Sequence, residues 1–355
     1  MPKNLGLHNH VVEQGENNNF LEECLKQQAN VISITDHRTL ISYYNLFSSL
    51  TKEEREKYKN LKFVLGMELT GMFNYQTLMN NTSPIAIDLL AYNIDINKYP
   101  ELYKFICENY SGMEYMGSKE YQQEELDYLI KVAKSLNYKA DYDSMKIDDK
   151  NRFSSTVLSS GLIDEKYVEY NLKNGLLPEL IHNPRGFKNR ELKNPDSKFY
   201  VDLSRFYPDA KEIITKIHDV SGLVFIPHTA AYFAKSGDEE ANKRAWENSY
   251  KFTKDFLNKN ATIDGLEIRH PSYLDNMEYY KFLEEIAKNK GLFVSGGTDY
   301  HKPNEPITKD YNGEYITDTI LYNFNDWAKI YTIDEIIELG NEIARIENNE
   351  EIKKR

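Results

Sequence analysis

Seven short apolar segments alternate with stretches of helical periodicity along most of this 355-residue chain. The segments read NLGLHNH, NVISITDH, KFVLGMELTG, PIAIDLLAYNI, GLVFIPHTA, GLEIRHP and GLFVSGGTDYH. Apolar runs this continuous are typical of strands that are buried on both faces, and their alternation with helices indicates a parallel sheet covered by helices. We therefore predict an α/β fold, and seven such strands favour a barrel over a flat sheet.

One long stretch departs from this alternation. Residues 97–200 are mostly polar with helical periodicity, as in KEYQQEELDYLIKVAKSLN, and we predict a helical insertion that lies over the active site. Residues 1–96 and 201–325 then form the two parts of the barrel, and residues 326–355 form a charged amphipathic helix or tail. Helices predicted over 209–222 and 276–291 each end in a glycine that suits a C-terminal cap.

Composition limits the classes of function. The formal net charge of −12 disfavours a surface that coats nucleic acid, so we expect no stable nucleic-acid complex. The chain contains no apolar run of about eighteen residues and no basic-then-apolar start, so we expect no membrane association and a cytoplasmic location. The two cysteines, Cys24 and Cys107, fit a reducing compartment. The oligomeric state stays open.

Histidines and carboxylates recur at or near the ends of the predicted strands. The carboxyl ends of parallel barrel strands lie on one face, so residues far apart in sequence converge there. The H-x-H pair also alternates along a strand, which directs both imidazoles to the same side. The recurring residues are His8, His10, Asp36, His37, Glu68, Asp88, His228, Glu267, Asp299 and His301. Burying so many ionisable groups together is costly unless a partner balances their charge. We therefore predict a metal site.

The predicted ligand types restrict the metal and its chemistry. Imidazole and carboxylate ligands without cysteine suit Zn, Mn or Fe. More than four candidate ligands indicate two or three divalent ions rather than one. Ions about 3.5–4 Å apart commonly hydrolyse phosphate esters, because they generate hydroxide, orient it and neutralise the leaving oxygen.

Five motifs resemble those of the PHP (polymerase and histidinol phosphatase) family and occur in the family order: LHNH, ITDHRT, LGMEL, FIPHTAAY and SGGTDYH. The resemblance covers residues 4–95 and about 200–302. In the insertion, NRFSSTVLSSG resembles a segment of one subfamily. That subfamily contains phosphatases of nucleoside monophosphates and 3′,5′-bisphosphates, some of which trim short RNA from the 5′ end. The resemblance implies a distorted seven-stranded TIM-like (β/α) barrel and a metal-dependent phosphoesterase that uses a metal-bound hydroxide.

The same resemblance implies a site for three ions, two of which share one carboxylate. The ions take, in turn, His8, His10, Glu68 and Asp299; Glu68 and His228; and His37 and His301. By the same resemblance Asp36 orients a ligand or a bound water, and His228 also has a catalytic role.

Two positions depart from the family pattern. The S-D-G that usually follows H-x-H is missing from HNHVVEQGENNN, where Glu13 is the predicted replacement ligand and Gln14 and Glu16 are its rivals. Asp88 stands where the family has a histidine in its fourth strand. A harder carboxylate ligand favours Mn or Fe over Zn, or leaves one ion weak or absent.

Two arginines are candidates for binding the phosphate of the substrate. Arg152 matches an arginine of the subfamily, and Arg269 follows Glu267 at a strand end. We expect a small phosphorylated nucleotide as substrate. Histidinol phosphate is the alternative substrate, and a degenerate PHP module that binds without catalysis is the alternative of another class.

Overall fold

A computed structural model describes residues 2–11, 19–76, 82–233, 239–260, 262–273, 276–309 and 313–353. The strands in this part of the chain are β1 Leu5–Gly6, β2 Val31–Ile32, β3 Lys62–Phe63, β4 Gly66–Gln76, β5 Thr82–Tyr92, β6 Leu223–Ile226, β7 Gly265–Arg269 and β8 Phe293–Gly296. The helices are α1 Phe20–Lys26, α2 Ile41–Phe47, α3 Lys52–Tyr58, α4 Tyr99–Asn109, α5 Met113–Met116, α6 Lys119–Ser135, α7 Ser154–Gly161, α8 Glu165–Lys173, α9 Pro184–Phe187, α10 Ala210–Asp219, α11 Glu239–Lys259, α12 Met277–Lys290, α13 Phe324–Trp327, α14 Ile333–Glu347 and α15 Glu350–Lys353. None of these helices has the length and apolarity needed to cross a membrane.

The described strands form two sheets. The first contains β1, β2 and β3, which are parallel and pair in that order. The second has the order β4–β5–β6–β7–β8, in which β5 is antiparallel to both of its neighbours and the other pairs are parallel. The α/β class is therefore confirmed. The prediction of an all-parallel sheet is wrong at β5, and a closed TIM-like barrel is not confirmed.

The direction of β5 follows from its short connection to β4. Only residues 77–81 separate the two strands. A connection of this length joins antiparallel neighbours, whereas a parallel pair needs a crossover of about a dozen residues or more. The apolar composition of PIAIDLLAYNI indicates burial but carries no information on direction.

Backbone pairing links the two sheets at two places, and both places lie beside predicted ligands. His37, beyond β2, forms an isolated parallel bridge with Glu68 in β4. His10 follows β1 and Tyr300 follows β8. The backbone N–H of His10 donates to the carbonyl oxygen of Tyr300 at 2.7 Å. The segments that follow β1, β2 and β8 therefore meet in one region.

Part of the predicted insertion has an apolar core of its own. Leu129, Leu158 and Phe187 belong to this second core, which is separate from the core beneath the sheets. In contrast α4, which also falls within residues 97–200, packs into the main core through Leu102 and Phe105. The insertion boundaries at 97 and 200 stay a prediction.

The predicted ends of two helices have different outcomes. Gly291 ends α12 in the left-handed conformation with φ 67°, as the sequence predicts. Gly222 does not cap α10, because Ser221 takes the left-handed conformation there with φ 59°. The predicted C-terminal segment, residues 326–355, contains α14, which begins with a capping box formed by Thr332 and Glu335.

A buried tyrosine of α2 joins the segment after β2 to the segment between β3 and β4. The Tyr43 hydroxyl accepts from the backbone N–H of Ile34 at 3.0 Å and of Gly66 at 3.2 Å. The same hydroxyl lies 2.9 Å from the carbonyl oxygen of Val64, to which it can donate. These bonds fix the backbone just before His37 and Glu68.

We expect Tyr43→Phe to lower the free energy of unfolding by about 1–3 kcal/mol, because it leaves buried backbone groups without a partner. Tyr44→Phe is the matched control, since the Tyr44 hydroxyl makes no hydrogen bond within the described ranges, and we expect a change within about 0.5 kcal/mol. Urea unfolding followed by circular dichroism measures both. Equal stability of the two variants would contradict this role of Tyr43.

Candidate metal centre

The two histidines that follow β1 lie side by side in the interior. Both side chains are buried, and their Nε2 atoms are 3.2 Å apart. Gly297 makes this packing possible, because a Cβ atom at that position would lie 2.3 Å from the Cβ atom of His8. The double glycine of SGGTDYH thus lets the segment after β8 approach His8 closely.

Glu68 lies at the centre of the cluster and faces four imidazoles. Its Oε1 atom lies 3.6 Å from His8 Nε2 and 3.5 Å from His228 Nε2. Its Oε2 atom lies 3.2 Å from His10 Nε2 and 3.1 Å from His37 Nδ1. The carboxylate is almost completely buried. Glu68 is therefore the residue that the other predicted ligands share.

The ligand atoms form three groups, within each of which all atoms lie within 4.8 Å of one another. The groups are His8, His10 and Glu68; Glu68, Asp88 and His228; and His10, His37 and His301. Asp299 joins the first group, since its Oδ1 atom lies 3.4 Å from His8 Nε2 and 3.2 Å from His10 Nε2. The structure thus brings together eight of the nine predicted metal ligands.

The cluster has the chemistry that divalent ions require. Its donor atoms are imidazole nitrogens and carboxylate oxygens, which suit Zn, Mn and Fe. Glu68 Oε1 is buried and has no hydrogen-bond partner within the described residues. Such an atom is costly to bury unless a charge neutralises it, and a cation held by these groups would do so.

Charge interactions within the cluster raise the pKa values of His8 and His10 and lower the pKa of Glu68. Burial by itself lowers the pKa of His8, but the carboxylates of Glu267, Glu68 and Asp299 outweigh it and raise that pKa well above its usual value. Burial also opposes protonation of His10, yet hydrogen bonds to Asp299 and Glu68 raise its pKa to about 9. The imidazoles in turn overcome the effect of burial on Glu68 and hold its pKa well below the usual range.

A buried carboxylate beneath the cluster orients two of the ligands. Glu267 Oε1 lies 3.1 Å from His8 Nδ1, and its Oε2 accepts from the backbone N–H of His228 at 3.1 Å. The sequence places Glu267 among the strand-end residues but assigns it no role. Its position inside the apolar segment GLEIR is the signal of a buried partner, because an unpaired carboxylate rarely occurs there.

Asp36 and Asp88 are held by hydroxyl groups of neighbouring elements. The Asp36 carboxylate accepts from the backbone N–H of Val11 at 2.7 Å and from the hydroxyl of Ser42. Its Oδ1 atom lies 4.0 Å from His10 Nδ1, too far for a hydrogen bond, so the orienting role of Asp36 stays a prediction. The Thr70 hydroxyl donates to Asp88 at 2.7 Å across the β4–β5 pair.

Three predicted site residues are not placed at the cluster. Glu13 and its rivals Gln14 and Glu16 lie outside the described residues. Arg152 is exposed, and its Nε donates to the carbonyl oxygen of Asp149 at 3.4 Å. The guanidinium of Arg269 lies 3.9 Å from the ring centroid of Tyr280. Neither arginine lines the cavity that reaches the cluster, so phosphate binding by them stays a prediction.

A cavity of about 900 Å³ reaches the cluster and is lined by residues of both cores. His37, Glu68, Asp88, His228, Asp299 and His301 form part of its wall. A short segment of the insertion, residues 185–193, contributes Arg185, Lys188 and Lys193 to another part of the wall. Residues 185–193, which fall within the predicted insertion, thus border the candidate site, although the sequence did not single out these cations.

Comparison with known proteins gives limited similarity. No family model and no curated protein matches the chain. A proposed metal-dependent phosphoesterase from Bifidobacterium adolescentis is 16% identical with a TM-score of 0.48, covering 91% of this chain and 96% of the other. An amidohydrolase from Chromobacterium violaceum, solved with sulfate and no metal, is 16% identical with a TM-score of 0.46, covering 88% and 91%. At this similarity neither structure bears on the chemistry of this chain.

We expect metal binding to release protons. Because the pKa of His10 in the metal-free cluster is about 9, its imidazole carries a proton at pH 7.5 that a coordinated ion has to displace. Titration calorimetry with Mn²⁺ in two buffers of different ionisation enthalpy measures this release. We expect about one proton from His10 at pH 7.5, and less as the pH rises through 9 and the imidazole becomes neutral.

The variant His10→Ala tests the source of the proton. It removes the titrating imidazole together with one ligand of two groups, so the protons released are compared per ion bound, and that number falls by about one at pH 7.5. Identical apparent enthalpies in both buffers for the unaltered protein would contradict the assignment.

Proposed function

We propose that this protein is a metal-dependent phosphoesterase that hydrolyses a small phosphorylated nucleotide. The preferred substrate is a nucleoside monophosphate or a nucleoside 3′,5′-bisphosphate, and the phosphorylated 5′ end of a short RNA is a further substrate to test. One observation carries the proposal: the ligand groups that share Glu68 border a cavity whose wall also carries arginine and lysine side chains.

The residues of the centre would act by binding and orientation. His8, His10 and Asp299 with Glu68 would hold one ion, Asp88 and His228 would hold a second with Glu68, and His37 and His301 would hold a third. Such ions supply Lewis acidity and a lowered pKa for water at the site. Glu267 keeps the imidazole of His8 in place, and Asp36 fixes the backbone that carries His10.

The cations of the insertion support an anionic substrate. Lys188 and Lys193 form no ion pair within the described part of the chain, and the pKa of Lys188 is lowered by burial and by the neighbouring charge of Lys193. Carboxylates on the same wall already have partners: Glu125 accepts from the hydroxyl of Tyr121, and Glu191 from that of Ser197. The two lysines thus present positive charge to a phosphate group of the substrate, although the carboxylate of Glu125 also acts on Lys188 and raises its pKa.

Aromatic side chains in the same cavity support a nucleotide among the possible phosphate esters. Phe153 and Tyr170 line the cavity, and each is 56% exposed although large and aromatic. Aromatic rings that stay accessible are suitable surfaces for stacking a nucleobase. Histidinol phosphate stays the alternative substrate, since its phosphate can use the same cations and its imidazole ring can use the same aromatic side chains.

We expect Glu68→Gln to abolish phosphate release. The amide keeps the shape of the side chain but removes the charge that is common to two ligand groups, so kcat/KM should fall by more than about 100-fold. Phosphate release from AMP, adenosine 3′,5′-bisphosphate and histidinol phosphate in the presence of Mn²⁺ measures the effect, with elemental analysis of bound metal beside it.

Glu342→Gln is the matched control, because it makes the same chemical change at a position outside the ligand groups. Glu342 lies on α14 and pairs with Arg345. This variant should retain both metal and activity. Metal in the unaltered protein without release from any of the three esters would sink the phosphoesterase proposal and favour a module that only binds. Full activity of Glu68→Gln would show that the proposed metal centre is not needed for the reaction.

We expect the double variant Lys188→Ala/Lys193→Ala to discriminate between substrates. Loss of the two lysine charges should raise the KM for the bisphosphate by about tenfold or more, and the KM for AMP by less. A tenfold rise in KM corresponds to about 1.4 kcal/mol. Steady-state kinetics with both nucleotides measures the difference. Lys173→Ala is the control, since this lysine is 78% exposed and pairs with Glu169. Equal KM values in all variants would exclude these lysines from substrate binding.

A further inference from the structure

The helix that follows His37 begins without a cap from its own residues. α2 starts at Ile41, and its N-cap residue is Leu40, which has no side chain able to accept a hydrogen bond. The first N–H groups of a helix have no partner within the helix and need one from elsewhere. The N–H of Ile41 finds a partner in the hydroxyl of Thr39 at 3.0 Å, and the N–H of Leu40 finds one in the carboxylate of Glu347, the last residue of α14.

Glu347 holds two of the three residues that connect His37 to this helix, Thr39 and Leu40. Its Oε1 atom accepts from the backbone N–H of Leu40 at 2.8 Å. Its Oε2 atom accepts from the hydroxyl of Thr39 at 2.6 Å. The hydroxyl of Tyr99 donates to Oε1 at 2.6 Å from the side of α4. One buried carboxylate thus accepts hydrogen bonds from three donors, two of which belong to the segment after His37.

The segment between His37 and Thr39 has a backbone conformation that needs such support. Arg38 has a φ of 65°, in the left-handed region that residues with a side chain seldom adopt. Its backbone N–H donates to the carbonyl oxygen of Glu68 at 2.9 Å. The turn is therefore held on one side by β4 and on the other by Glu347, and His37 projects from it toward the cluster.

α14 is itself fixed against α2, so Glu347 has little freedom to move away. A Cβ atom on Gly340 would lie 3.0 Å from the carbonyl oxygen of Tyr43 and 3.1 Å from the Cα atom of Tyr44. The two helices therefore pack with their backbones in near contact. The carbonyl oxygen of Glu347 also accepts from the hydroxyl of Tyr103 at 3.3 Å.

We propose that Glu347 is a positioning residue for the metal centre: it fixes the turn over residues 38–40 so that the imidazole of His37 faces Glu68. The C-terminal helix is then part of the functional site although none of its residues reaches the cavity. This inference rests on the proposed metal centre, but it does not require that the bound metal hydrolyse a phosphate ester.

The test measures bound metal in variants of the carboxylate and of the ligand that it positions. Glu347→Gln keeps the shape but offers one acceptor oxygen instead of two, and Glu347→Ala offers none. We expect Glu347→Ala to weaken the ion held with His37 by about 10–100-fold, the usual cost of losing a group that orients a ligand. Mn²⁺ titration followed by elemental analysis measures the number of ions and their affinities.

A double-mutant cycle separates positioning from general destabilisation. If Glu347 acts through His37, then His37→Ala and Glu347→Ala each lose the same equivalent of metal and the double variant loses no more. The ion held by Asp88 and His228 keeps its affinity in all three variants. Additive losses at both sites would overturn the proposal in favour of a merely structural role.

One variant leaves the contacts between Glu347 and the turn intact, and a second removes only one of them. Tyr99→Phe removes one donor to the carboxylate but leaves Thr39 and Leu40 bound, so it should retain all metal. Thr39→Val removes one of the two contacts with the turn, and it should weaken the same ion by less than Glu347→Ala does. Thr39→Val and Glu347→Gln also serve if Glu347→Ala does not fold.

A measurement on metal-free protein is independent of activity and of metal. The backbone N–H of Leu40 should exchange with solvent faster in Glu347→Gln than in the unaltered protein, and Glu342→Gln should leave it unchanged. Wild-type metal affinity in both Glu347 variants overturns the proposal. Metal bound without phosphate release overturns only the phosphoesterase, so the two failures are distinguishable.

Discussion

The burial of one carboxylate among four imidazoles is the constraint on which the rest of the site depends. Glu68 has two oxygens, and each lies between 3.1 and 3.6 Å from two different imidazole nitrogens. Removing these charges from water is expensive unless they neutralise one another or share cations. The opposite pKa shifts of Glu68 and His10 express that balance. Any arrangement of the surrounding strands has to keep these groups together.

Buried polar groups beneath the ligands keep the cluster in place. Glu267 lies against His8, Asp36 holds Val11, and Thr70 holds Asp88, so each of these groups fixes a ligand or the chain beside it. Gly297 adds a purely steric requirement, since a side chain there would collide with His8. The candidate metal centre therefore depends on the residues that contact its ligands as well as on the ligands themselves. These contacts set the directions of the ligand side chains before any ion binds.

The sequence predicted the convergence of the ligands better than the architecture that produces it. Histidines and carboxylates at strand ends carry a chemical signal, and Asp88 reaches the cluster even though its strand runs against the predicted direction. The direction of β5 depends on the length of a turn, which an apolar pattern does not reveal. Arg152 bonds to the carbonyl oxygen of Asp149, three positions before it, and Arg269 lies against the ring of Tyr280, and the motifs that suggested phosphate binding indicated neither contact. The role of Glu347 was equally hidden, because its partners at Thr39 and Leu40 are 308 and 307 positions away in the chain.

The ligands of the centre are spread from His8 near the start of the chain to His301. A growing polypeptide consequently lacks Asp299 and His301 until the ribosome has passed residue 301. The second core, whose buried residues run from Leu126 to Phe199, is complete in sequence about a hundred residues earlier. During synthesis the insertion can fold while the ligands from the N-terminal segments still await their partners. The full cluster can therefore assemble only after Asp299 and His301 have been added, and a shorter chain would carry the earlier histidines without the site.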